Sequence, residues 1–167
     1  MPRWEPEETV TQSVLERLIN RDPTNNVSEP APTRAQSVRT LKASLRRDLE
    51  WLLNTRQSPE AVGPDYPELE HSVFNYGLPD ITGLSWDNSR DRAKLARMIE
   101  QTLEIFEPRL MRTKVAILEA LPGAQHVMRF QIEGMLDMDP APELISFDTV
   151  LQLSSGEYQV KGDTGAG

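Results

Sequence analysis

Val38, Leu41, Leu45, Leu49, Leu52 and Leu53 recur at helical spacing and draw one apolar stripe along the chain, with good helix formers between them. The stripe predicts a long amphipathic helix from Ser37, ended by Asn54-Thr55-Arg56-Gln57-Ser58-Pro59. A second stripe of Leu95, Met98, Ile99, Thr102, Leu103 and Phe106 predicts another long helix, capped somewhere between Asp87 and Ser89. Pro108 disfavours helical backbone at Glu107 and so sets its end. Upstream, Val14, Leu15, Leu18 and Ile19 fit one face of a short helix that Thr11 or Ser13 can cap.

Beyond Pro108 the period falls to two. Val115, Ile117 and Leu121 alternate with Lys114, Ala116 and Leu118, and Met128, Phe130, Ile132 and Leu136 with Val127, Arg129, Gln131 and Glu133. Pro122-Gly123-Ala124-Gln125 lies between these two strands as a hairpin connection would. A third strand puts Ile145, Phe147, Thr149, Leu151 and Leu153 on one face, and the turn Ser154 to Glu157 leads to a brief last strand around Tyr158 and Val160. Amphipathic N-terminal helices followed by a small antiparallel sheet make an α+β fold.

The apolar pattern also marks what stays outside that domain. Between Arg21 and Thr33 the only large apolar residue is Val27, among Pro23, Pro30 and Pro32, which is too little to offset the entropy of ordering. The chain therefore divides into an N-terminal helical segment over 1–20, a linker over 21–36, the α+β domain over 37–161 and a frayed tail over 162–167. From Pro59 on to Gly83 prolines and glycines predict an ordered loop, anchored by Tyr66, Leu69, Val73, Phe74, Tyr76, Leu78 and Ile81.

Composition removes several classes of function. The 167 residues carry a net charge of -8, which opposes general nucleic-acid binding because phosphate neutralisation needs surplus cations. With no cysteine there is no disulfide, thiolate or cysteine zinc chemistry, and a reducing cytosol is compatible with the chain. Neither a signal peptide nor a transmembrane span is read from the sequence, and His71 and His126 sit in no metal-binding spacing. Walker, GxGxxG and GxSxG motifs are absent, so no cofactor is expected.

Among 26 acidic residues, Glu107 stands out as a candidate because it closes a predicted helix and the following proline restricts its backbone. A glycosidase needs a carboxylic acid of raised pKa, whereas Arg109 two residues on would lower it. Glu107-Pro108-Arg109 reads instead as a stiff pair of opposite charges at a helix end, able to staple its own helix or to clamp a partner. In Asn75-Tyr76-Gly77-Leu78-Pro79-Asp80, Gly77 suits positive φ and Tyr76 suits either the core or a partner.

The ordered set of these blocks is specific. Leu15-Glu16-Arg17-Leu18, then Ser44 to Arg56 with its Leu53-Asn54-Thr55-Arg56 exit, then Asn75 to Asp80, then Glu107-Pro108-Arg109, resembles the baseplate wedge family shared by contractile phage tails and type VI secretion systems, the TssE group within it. That resemblance implies a cytoplasmic, non-enzymatic scaffold at a baseplate docked on the inner membrane, without cofactor, metal, nucleic acid or small-molecule substrate. It implies the wedge proteins TssF, TssG and TssK as partners, and a fold similar to the interlocking domain of the sheath proteins TssB and TssC. Partner contact is expected at Glu107, Pro108, Arg109, Asn75 and Tyr76, and at Gln159 and Val160 on the edge strand that would start the contractile sheath. The linker from Asp22 to Gln36 and the segment from Met138 to Glu143 depart from the family pattern. The rival reading is a peptidoglycan-cleaving glycosidase.

Overall fold

The computed structural model describes residues 10, 14, 18, 33–60, 62–118 and 126–163. Its contacts divide the chain into two compact units, Met1–Leu45 and Arg46–Gly167, and the helix α1 (Arg34–Asn54) continues through the division. Most of the N-terminal helix, Trp4, the linker up to Pro32, Leu121 of the expected first strand, the hairpin connection Pro122 to Gln125 and the tail from Thr164 lie outside the described residues; Val14 and Leu18 are helical and exposed.

In the first unit α1 starts at Arg34, ahead of the expected Ser37. Thr33 and Gln36 explain the earlier start. The Thr33 amide donates to Gln36 Oε1 (2.8 Å) while the Gln36 amide donates to Thr33 Oγ1 (3.3 Å), a reciprocal cap that satisfies two otherwise orphaned donors. Arg34, Ala35 and Gln36 therefore belong to the helix and not to the linker.

The second unit holds the end of α1, the helix α2 (Ser89–Phe106) and four strands, β1 (Leu110–Leu118), β2 (Val127–Leu136), β3 (Glu143–Gln152) and β4 (Glu157–Asp163). Asn88 caps α2 by accepting from the Arg90 amide at 2.9 Å. The strands form one antiparallel sheet in the order β1-β2-β3-β4. Opposite residues share a face: Ile132 pairs with Val115 and Phe147, Phe130 with Ile117 and Thr149, and Leu151 with Met128 and Tyr158. That face is buried together with Leu49, Leu52 and Leu53 of α1 and Leu95, Ile99 and Leu103 of α2. Gly162, expected in the frayed tail, lies within β4.

The loop between the helices departs from expectation. It contains two 3-10 turns, Pro67–His71 and Val73–Asn75, and its inward anchors are Leu78, buried, with Tyr76 and Ile81 half-buried; Tyr66, Leu69, Val73 and Phe74 are exposed.

Candidate functional site at the exit of the second helix

Glu107 ends α2 with its amide on the Leu103 carbonyl at 2.8 Å, and its own carbonyl accepts from the Leu110 amide at 3.0 Å. Pro108 thus sits in a tight turn that carries the chain from α2 into β1. The Arg109 carbonyl accepts from the Asp137 amide at 2.8 Å, tying the same turn to the end of β2.

The Glu107 side chain is buried, with the residue only 4% exposed, and both of its oxygens meet Arg109: Nε on Oε1 and Nη2 on Oε2, each at 2.6 Å. This is the two-point fork in which Arg outperforms Lys. Arg109 Nη2 also donates to Asp48 Oδ2 of α1 at 2.7 Å. Asp48 Oδ1 in turn accepts from Arg47 at 3.1 Å, and the Arg47 guanidinium lies 5.1 Å from the Trp51 ring centroid. The four charges alternate and compensate one another. Hydrogen bonds that Arg109 donates to Glu107 and Asp48 hold its proton more tightly than usual, against the cost of burial. Burial, with Asp48 and Glu107 nearby, pushes the Tyr76 hydroxyl above its ordinary range.

The Asn-Tyr-Gly-Leu-Pro-Asp loop joins this site from the other side. Tyr76 meets Phe106 edge to face at 5.4 Å. The Leu78 amide donates to the Thr55 carbonyl (2.8 Å) and the Gln57 amide to the Leu78 carbonyl (2.9 Å), so the loop pairs with the Leu-Asn-Thr-Arg exit of α1. Gly77 makes the approach possible: its φ is 115°, and a Cβ there would stand 2.4 Å from the Thr55 carbonyl oxygen. Asn75 accepts from Gln57 and donates to the Glu70 carbonyl at 3.2 Å.

The remaining candidates lie on β4, apart from that cluster. Register with β3 turns the Gln159 backbone toward Val150 and the Tyr158 and Val160 backbones outward. Asn54 of α1 occupies the outward groups of Tyr158 as a strand would, accepting from its amide (2.9 Å) and donating to its carbonyl (2.8 Å). Arg46 donates to the Val160 carbonyl at 3.1 Å. On the opposite edge, Glu100 of α2 accepts from the Val115 amide at 2.8 Å.

Sequence reasoning missed Asp48, Asn54 and Trp51. Asp48 borders the apolar stripe of α1 and Trp51 lies off it, but nothing local announces a partner 61 residues away for Asp48 or 104 residues away for Asn54.

Among the described residues the most buried carboxylate, that of Glu107, is committed to Arg109, which bridges the end of α2 to α1. The family model described as baseplate wedge protein gp25 matches residues 39–141, and the chain belongs to that family. The match runs from α1 through β2 and contains the Glu-Pro-Arg turn and the Asn-Tyr-Gly-Leu-Pro-Asp loop. The chain is accordingly a structural protein of a phage-tail-like baseplate. No curated protein and no solved structure matches it. Among the described residues no helix is long and apolar enough to cross a membrane.

Proposed function

We propose that the chain is the TssE-type subunit of a type VI secretion baseplate, a cytoplasmic scaffold without catalytic activity that joins TssF, TssG and TssK and starts the TssB and TssC sheath. The observation that carries this reading is the commitment of both Glu107 oxygens to Arg109, in a cluster that ends at the surface in Arg47 and an exposed Trp51. Glu107 and Pro108 position Arg109; Arg109, Arg47 and Trp51 meet the wedge proteins, since Arg and Trp are the residues that anchor interfaces. Asn75 and Tyr76 hold the neighbouring loop in place for the same contact.

Two substitutions separate the inner from the outer part of this site. Arg109→Lys keeps the charge and loses the fork, and should destabilise the isolated protein by about 2 kcal/mol in thermal melting. Trp51→Ala combined with Arg47→Gln should melt within about 1–2 kcal/mol of wild type, because Trp51 is exposed and Asp48 keeps its Arg109 partner, yet fail to co-purify with TssF and TssG. Unimpaired co-purification of the double variant would sink the clamp. Turnover of peptidoglycan that disappears in Glu107→Gln would replace the scaffold reading with the glycosidase one.

A further inference from the structure

The loop between α1 and α2 leaves apolar side chains in solvent. Val73 is 87% exposed and Tyr66 65%, with Phe74 and Leu69 beside them on 3-10 turns that pack against each other. An exposed patch of this kind on a folded domain marks a contact surface. The segment that carries it is of one sign: from Gln57 to Ser89 the chain has no Lys or Arg, and it carries Glu60, Asp65, Glu68, Glu70, Asp80 and Asp87. Next to the turns lies an open depression of about 410 Å³ whose lining includes Glu60, Val62, Glu70, Asn75 and the exposed Ile105 of α2. Asn75, bonded to Gln57 and to the Glu70 carbonyl, fixes one wall. Neither the Glu60 nor the Glu70 carboxylate forms an ion pair with the described residues.

We propose that this face docks a basic amphipathic segment of another baseplate protein, its apolar side chains on Val73 and Phe74 and a Lys or Arg side chain in the depression between Glu60 and Glu70. The charge of the rim selects this occupant: an acidic segment meets only repulsion, whereas a cation finds two carboxylates with no cation of their own. The apolar patch supplies contact area that charge alone does not. This docking rests on the baseplate reading and is separate from the Arg109 site, whose charges are already compensated.

The test is binding of the full chain to purified TssF–TssG at low and at high salt, with melting of each variant as the control for folding. Glu60→Gln with Glu70→Gln should bind roughly tenfold more weakly than wild type at low salt and nearly equally at high salt, where screening hides the difference. Val73→Gln, at a position outside the core, should keep the wild-type melting temperature and bind roughly tenfold more weakly at both salt concentrations. If both variants bind like wild type, this face is not the dock although the baseplate reading stands. A loss confined to one of the two overturns the amphipathic form of the proposal. Wild-type protein that binds TssF–TssG at neither salt concentration overturns the baseplate reading and this docking with it.

Discussion

Tyr158 concentrates the physical chemistry of this fold in one side chain. Its backbone is held by Asn54, its ring meets Phe130 edge to face at 5.8 Å, and its hydroxyl is buried with no hydrogen-bond partner among the described residues. A buried donor left unmade costs free energy, so Tyr158→Phe should leave stability unchanged or raise it by up to about 1 kcal/mol at neutral pH. Burial also raises the hydroxyl pKa in the folded state. A group whose folded pKa is raised contributes stability that is fully present below the unfolded value, 10.0, and is lost as pH rises beyond it. The advantage of Tyr158→Phe over wild type should therefore grow above pH 10, read by thermal melting across that range. Equal loss of stability in both proteins above pH 10 would mean that the Tyr158 hydroxyl is hydrated. Tyr76, shifted in the same direction, is common to both and cancels in the comparison.

At the scale of elements, periodicity carries most of what the sequence makes legible. Both long helices and all four strands follow from where apolar residues recur, because one face of each is buried. Their ends follow from local chemistry where that is visible, as at Asn88 and Pro108; the Thr33 and Gln36 cap is also local and accounts for the start of α1. Illegible were the joints between elements. Arg109 with Asp48 and Asn54 with Tyr158 are tertiary pairs between polar residues, and period conveys nothing about them. The loop is legible in part: Leu78, Tyr76 and Ile81 anchor it, whereas apolar composition marks Tyr66, Leu69, Val73 and Phe74 without saying whether core or solvent receives them. Gly77 is the joint that can be tested most directly. Gly77→Ala forces a Cβ toward the Thr55 carbonyl at a positive φ, and should cost about 2–4 kcal/mol by denaturant unfolding of the isolated protein. A loss below about 1 kcal/mol would show that the loop can part from the exit of α1 at little cost.

The whole molecule presents two sheet edges, and both are partly closed by helix side chains. Glu100 holds an outward donor of β1, while Asn54 and Arg46 hold three outward groups of β4. Such covers keep an open sheet from pairing indiscriminately with other chains. They also mean that a sheath strand arriving at β4, as expected from the sequence at Gln159 and Val160, has to displace Asn54 and Arg46. Proline distinguishes the two directions of the β4 backbone. At Gln159 it removes the donor that faces β3 and should destabilise the isolated protein by about 3 kcal/mol. At Val160 it removes an outward donor and spares the ladder, so the cost is limited to repacking one buried side chain, about 1–2 kcal/mol. Baseplates assembled with Val160→Pro should retain the subunit and yet start few sheaths, counted by electron microscopy against wild type. Normal numbers of sheaths on these baseplates would exclude β4 as the receiving edge and leave β1, where Glu100→Ala frees the Val115 amide, as the remaining edge of this sheet for strand addition.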